Sequence, residues 1–433
     1  MTNKELIKED LKYIWHPCTQ MKDHEFLPLT PIKKGEGVYL EDFEGNRLID
    51  GISSWWVNIL GHNNKFINEY IKNQVDTLEH VLLAGFTHEP AVKLAKKLVE
   101  ITPEGLNKVF FADNGSTAVD ISLKMAFQYY KNKGETRPYF ISLENSYHGE
   151  SIAALSISDM GLYKDVYEEI LIKSIKTSSP KNQSIEESRR ALGELELLLK
   201  EKASEVSAII VEPLVQCAGS MNMYSPEYLV GLRELCTKYD VLFIADEIAV
   251  GFGRTGKLFA CEHANVTPDL MLLSKGLTGG YLPLSVVMIP DFIFNEFYTD
   301  YADYKKAFLH SNSYTGNALC CSAALATIDY LEQYDTMNTN QEKISFMNQE
   351  LQKFKNLPNV KEIRQTGMIA AVELKGYKSE DRIGLEVYKY ALQNGVLLRP
   401  LSHIVYFMPP YVITKEEIKK MLDVAYEAIT RLK

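Results

Sequence analysis

The chain has 433 residues, enough at roughly 150 residues per domain for two or three units with a large buried core. Its 57 acidic and 47 basic residues leave a formal charge of −10, which argues against the basic face of a nucleic-acid binder, and 46% hydrophobic with 24% charged residues excludes a disordered chain. One detail is uneven: the three tryptophans, Trp15, Trp55 and Trp56, all lie near the N-terminus, whereas a set of core aromatics would be spread along the chain.

In chain order, the opening MTNKELIKEDLKYIWHP alternates charge with apolar residues and lacks the apolar stretch of a secretory signal. No later run approaches the roughly 18 apolar residues of a membrane span. The six cysteines (Cys18, Cys217, Cys236, Cys261, Cys320 and Cys321) contain no C-x-x-C pair, and a chain this long needs no disulfide staples. Reduced thiols in a cytoplasmic protein are the expectation. The first 60 or so residues read as turns and short strands, with a hairpin over residues 37–51 around a Glu-Gly-Asn turn.

From about residue 64 short apolar runs alternate with amphipathic stretches. Residues 206–215 and 241–250 are nearly continuous apolar runs, as in strands buried on both faces of a mainly parallel sheet. Between them SPEYLVGLRELCTKYD has helical spacing and a Ser-Pro start. Such β-α-β units in succession predict an α/β domain. Beyond about residue 323 the reading is a long helical stretch up to Pro358, short strands, a helix stopped by Gly395, a strand-like VLLRPLSHIVYFMPP and a charged terminal helix. This is a smaller α+β domain. The division is residues 61–325 for the large domain, with 1–60 and 326–433 building the small one.

Three features of the large domain carry chemistry. Asp113-Asn114-Gly115-Ser116-Thr117 follows a strand and opens a helix, in outline a phosphate cradle in which free N–H groups and the helix dipole favour an anion. Taken alone it reads more readily as an ordinary N-cap, and it is neither a Walker A loop nor GxGxxG. Asp246 stands at the end of a buried strand, where α/β proteins place ligands; it is either a turn cap or a fixed anion holding a ligand cation. Lys275 ends an apolar run before a Gly-Leu-Thr-Gly-Gly loop. Most lysines are solvated, but a desolvated one is a nucleophilic amine suited to a Schiff base.

Together, cradle, acid and amine are the set that pyridoxal 5'-phosphate requires: a phosphate seat, a carboxylate for the pyridine nitrogen and a lysine for the carbonyl. Tyr147, in ENSYHGES, could stack on one ring face while Ile248 packs the other; otherwise Tyr-His-Gly is a loop in which His148 makes a local hydrogen bond.

IADEIAVGFGRTGKLFACEHANVTPDLMLLSKGLTGG resembles the signature of the class III, fold-type I pyridoxal-phosphate-dependent aminotransferases. WHPCTQM, DGISSWWVNILGHN, DNGSTAVDISLKMAFQYY, SYHGES, HSNSYTGN and LLRPLSHIVYFMPPY are similar to the branch of that family that converts 8-amino-7-oxononanoate to 7,8-diaminononanoate in biotin synthesis. The resemblance implies a large domain with a mainly parallel seven-stranded sheet flanked by helices, plus a small α+β domain from both termini. It implies that Lys275 carries the cofactor, Asp246 pairs with its nitrogen, Gly115 and Ser116 hold its phosphate, and Tyr147 stacks on the ring beside Ile248 and touches substrate. It implies a homodimer, in which the partner's Asn312 and Ser313 complete the phosphate site and Ser311 approaches substrate. Substrate residues carry over as Trp55, Arg399 (a guanidinium for the substrate carboxylate), Tyr406 and position 18. No metal is implied. The double Trp resembles the members that take S-adenosylmethionine as amino donor; others use lysine. A different class III ω-amine aminotransferase and a non-enzymatic binding module are the alternatives. Three departures stand out: Cys18 replaces a usual aromatic, Glu150 a usual Asp, and Ser311 lies in a partner loop that is usually Gly-Pro-Thr or Gly-His-Ser.

Overall fold

The computed structural model describes residues 2–432. The chain divides into two compact units, residues 66–341 with 365–369, and residues 1–65 with 342–364 and 370–433.

The larger unit is built on seven strands: β1 (Leu106–Ala112), β2 (Tyr139–Leu143), β3 (Ile175–Thr177), β4 (Val206–Val211), β5 (Leu242–Asp246), β6 (Leu270–Leu273) and β7 (Ser285–Pro290). Their order across the sheet is β1-β7-β6-β5-β4-β2-β3. All neighbours are parallel except β7, which runs antiparallel to both β1 and β6. Every residue of β4, β5, β6 and β7 is buried. This is why the corresponding sequence runs are continuously apolar rather than alternating. The helix Gly115–Asn132 lays Val119, Ile121, Met125 and Ala126 on the sheet residues Ile210, Ile244, Leu272 and Val287. Each such aliphatic side chain contributes roughly 1.5–3 kcal/mol on burial. The helix predicted between the two apolar runs is Glu227–Tyr239, which ends on Asp240 in the left-handed conformation. The helix Ala318–Gln333 also belongs to this unit, which therefore extends past residue 325. Ten of its residues are buried, so it behaves as a core helix.

In the smaller unit the predicted hairpin pairs Tyr39–Asp42 with Arg47–Asp50, in the register Tyr39↔Ile49 and Glu41↔Arg47. Val396–Leu397 then adds in parallel to Arg47–Asp50, so segments from both ends of the chain share one sheet. A three-stranded sheet (Val360–Thr366, Ile369–Leu374, Ile404–Phe407) and the helices Gly384–Gln393 and Lys415–Thr430 complete the C-terminal part. The opening residues do not form turns and strands. They form the helix Asn3–Tyr13, capped reciprocally by Thr2 and Glu5: the Thr2 hydroxyl accepts the Glu5 N–H, and Glu5 accepts the Thr2 N–H at 2.8 Å. None of its residues is buried, which is why apolar periodicity gives no sign of it.

Among the described residues no cysteine is in a disulfide. Among the described residues no helix is long and apolar enough to cross a membrane.

Candidate active site

β4, β5 and β6 are parallel, so their C-terminal ends lie along one edge of the sheet. Glu212 follows β4, Asp246 ends β5, and Lys275 comes two residues after β6. Ligands of open α/β sheets bind outside this edge. Asp246 is buried, and its two oxygens have different partners. Oδ2 lies 2.7 Å from His148 Nδ1, and Oδ1 accepts the Ile248 N–H at 3.1 Å. His148 is itself buried, its backbone N–H is donated to Ser158 Oγ at 2.9 Å, and its Nε2 has no partner among the described residues.

Burial lowers the Lys275 ammonium from the ordinary lysine value; Cys217, Asp246 and Glu212 oppose the shift and the Arg254 cation adds to it. Two buried carboxylates, the half-buried Lys275 and the buried Arg254 therefore influence one another at the sheet edge. Burial, reinforced by the Asp246 carboxylate, pushes Glu212 up to about 8, although Glu212 accepts the backbone N–H groups of Tyr147 and Cys217 at 3.0 Å each. Lys275 also has a left-handed backbone, φ 45°.

The helix Gly115–Asn132 begins beside this cluster. Asn114 caps it, its side chain accepting the Thr117 N–H at 3.1 Å. The N–H groups of Gly115 and Ser116 have no partner among the described residues, as expected of an uncovered helix start. A Cβ at Gly115 would come within 3.2 Å of the Ile248 side chain, so glycine is what lets the helix start and Ile248 share this space. Gly149 (φ +127°) packs still more tightly: a Cβ there would meet Ser116 Oγ at 2.1 Å. The Tyr147 hydroxyl donates to Glu150 Oε1 at 2.9 Å, so the residue that departs from the family pattern holds the tyrosine.

These groups fit pyridoxal 5'-phosphate. There is an anion seat of backbone N–H groups and a hydroxyl, a carboxylate locked by a histidine for the ring nitrogen, and a desolvated amine for the carbonyl.

Ser311 and Ser313 are exposed, and Asn312 is half-buried. The Ser313 carbonyl receives His80 Nε2 at 3.0 Å, and the Asn312 N–H is donated to Thr315 Oγ1 at 3.0 Å.

In the smaller unit, residues 53–56 adopt an unusual turn. Ser53, Ser54, Trp55 and Trp56 have φ of 49°, 45°, 74° and 76°, four successive non-glycine residues in the left-handed region. Each costs roughly 1–2 kcal/mol in that conformation, so neighbouring contacts must hold it. Trp55 is 43% exposed and lies under the Arg399 guanidinium, 5.0 Å from guanidinium carbon to ring centroid. Arg399 Nη2 donates to the Cys18 carbonyl at 3.2 Å, so position 18 contacts the arginine through its backbone, and the loss of an aromatic side chain there leaves this contact intact. Tyr406 is 1% exposed and accepts the indole N–H of the buried Trp56 at 3.2 Å; it backs Trp56 rather than lining an open face. Trp15 is 86% exposed and stands apart from the pair.

Three residues of the larger unit were not singled out from sequence as site groups. Glu212 had a usable signal, an acid directly after a buried strand, as at Asp246. His148 was read only as a loop histidine, because its partner lies 98 positions away. Arg254 sits in a glycine-rich loop that gave no sign of its burial, yet it is 1% exposed.

Residues 20–429 match the family model Aminotransferase class-III. The chain is 46% identical to the adenosylmethionine-8-amino-7-oxononanoate aminotransferase of Helicobacter pylori, over 98% of this chain and 97% of that one. The solved structure of the enzyme of the same name from Methanocaldococcus jannaschii superposes with a TM-score of 0.95 at 39% identity, covering 98% of each chain. An omega transaminase from Pseudomonas jessenii, solved in complex with PMP, gives 0.91 at 29% identity, covering 98% of this chain and 97% of that one.

Proposed function

Given that this chain belongs to the class III aminotransferases, we propose that it moves an amino group from S-adenosylmethionine to 8-amino-7-oxononanoate, yielding 7,8-diaminononanoate for biotin synthesis in the cytoplasm. The observation that carries the reading is the cluster of Lys275, Asp246 and His148 beside the uncovered helix start at Gly115, in a chain alike from end to end to enzymes named for that reaction.

Pyridoxal 5'-phosphate, when bound, supplies an electron sink that lets an amino group leave one carbon and be passed to another. The chain's own groups do the rest. Gly115 and Ser116 would hold the phosphate with backbone N–H groups. Asp246 would keep a proton at the ring nitrogen, and His148 fixes the orientation of that carboxylate. Lys275 Nζ, low in basicity through burial, takes a proton from substrate carbon and returns it. Arg399 suits the terminal carboxylate of 8-amino-7-oxononanoate, and Trp55 is a flat wall for its alkyl chain. The exposed Ser311 and Ser313 suit a loop that serves a second copy, so the working form is a homodimer.

The test is incubation of purified protein with 8-amino-7-oxononanoate and either S-adenosylmethionine or lysine, with 7,8-diaminononanoate detected by mass spectrometry. Product with S-adenosylmethionine is expected. Product with lysine alone would reassign the donor, and product with neither would overturn the reading.

A further inference from the structure

The left-handed turn at residues 53–56 is anchored at its start, through both serines. The buried Ser53 hydroxyl donates to the Met408 carbonyl at 2.7 Å. The Ser54 hydroxyl donates to Asp50 Oδ2 at 2.7 Å, and His62 Nε2 reaches the same oxygen at 2.9 Å. Asp50 is fully buried and also accepts the Ile52 N–H at 3.3 Å. Burial alone would raise its carboxyl; the hydrogen bonds from His62 and Ser54 outweigh this and hold it below the ordinary carboxylate range. His62 is fixed in turn. Its backbone exchanges two hydrogen bonds with Gly37, at 3.0 and 2.7 Å, and its side chain lies so close to Gly35 that a Cβ there would approach to 2.7 Å. None of these groups has a part in the cofactor chemistry. What they share is the backbone that carries Trp55.

We infer that Asp50, braced by His62, is a positioning residue that clasps Ser54, holds residues 53–56 in the left-handed conformation and so sets the Trp55 ring under Arg399, tuning the fit of the keto substrate. A Ser-Ser-Trp-Trp segment has no glycine to make this conformation cheap, and serine and tryptophan left to themselves leave it. With the clasp, Trp55 is presented in one orientation before substrate arrives; without it, ordering the ring is a cost met at binding. The inference rests on the proposed reaction for its link to substrate, but not for the clasp itself.

The experiment compares wild-type holoenzyme with Ser54→Ala, Ser54→Gly and Ser54→Asn. Glycine takes the left-handed backbone without strain, so that variant folds even if the alanine one does not. Asparagine tolerates the same backbone and can donate to Asp50, so it is the rescue. Trp56 is buried, so within residues 53–56 acrylamide reaches Trp55 alone, and a Trp15→Phe background removes the other exposed indole. Ser54→Ala and Ser54→Gly are expected to raise the acrylamide quenching constant about twofold and the KM for 8-amino-7-oxononanoate about tenfold, with kcat within about twofold and cofactor absorbance unchanged. Ser54→Asn is expected to stay near wild type in both. Unchanged quenching in Ser54→Gly, or parallel loss of kcat and bound cofactor, would overturn the clasp. The quenching needs no substrate. A wild-type protein inert towards 8-amino-7-oxononanoate would therefore count against the proposed reaction only, and quenching would still decide the clasp.

Discussion

In the larger unit Asp246, Glu212 and Lys275 stand at or within two residues of the ends of fully buried strands, so the sheet fixes where their backbone lies. In the smaller unit Trp55 is exposed on a turn of four left-handed residues, held by side-chain hydrogen bonds from Ser53 and Ser54. The first region places groups by the regular geometry of the fold. The second places one by local strain and a few polar contacts. Chemistry common to a whole family suits the first arrangement. A contact that selects one substrate suits the second, because single substitutions can retune it without disturbing the sheet.

Removing Lys275 should give the largest effect. Lys275→Ala should cut turnover by about 10⁴-fold or more while far-UV circular dichroism stays unchanged, since the reacting amine is lost and the sheet is not. His148→Ala comes next. It leaves a buried carboxylate with only the Ile248 N–H, and cofactor retention in equilibrium dialysis should weaken roughly 100-fold, in line with the cost of leaving a buried carboxylate short of a hydrogen-bond partner. Retention equal to wild type would mean that the dyad is packing. Trp55→Ala should raise the KM for the keto substrate about tenfold with visible cofactor absorbance intact. Equal loss of both would erase the contrast between the two regions.

The smallest effect is a pH dependence. The Glu212 carboxyl is raised from 4.5 to about 8, so its folded value lies above its unfolded one and folding takes up a proton between them. Its stabilising contribution is full below about pH 4.5 and is lost as pH rises through about 8. Denaturant midpoints of the wild type should therefore fall across that interval, and those of Glu212→Gln should fall less.

The legible parts of this molecule were those whose causes are local in sequence. The hairpin at Tyr39–Asp42 and Arg47–Asp50 has its turn residues between its arms, and β4 and β5 announce themselves by continuous apolar runs. Asp246 and Lys275 were visible as charges interrupting or ending such runs. The helix Asn3–Tyr13 had a readable Thr2-to-Glu5 capping box but no buried face, so a reading weighted towards apolar periodicity passed over it. The partnership of His148 with Asp246 and the burial of Arg254 are made by tertiary approach and leave no local trace. Nothing in Ser-Ser-Trp-Trp advertises positive φ either, because that conformation is imposed by Asp50 and Met408, the latter 355 positions from Ser53. The clustered tryptophans divide accordingly: one lies bare on the surface, one is exposed under Arg399, and one is buried against Tyr406.

The single reversed strand, β7, also sets a timetable for synthesis. Among the described residues β1 pairs with β7 alone, Ala112 opposite Ser285, so its hydrogen-bonding edge stays open until some 173 further residues (285 − 112) have left the ribosome. The smaller unit waits longer, because Ile49 finds its parallel partner only at Val396. A nascent chain therefore carries two open edges at once until β7 has been made, and the one at Arg47–Asp50 until Val396 follows. Open edges of this kind invite pairing with other chains, and the strand order decides how long each one lasts.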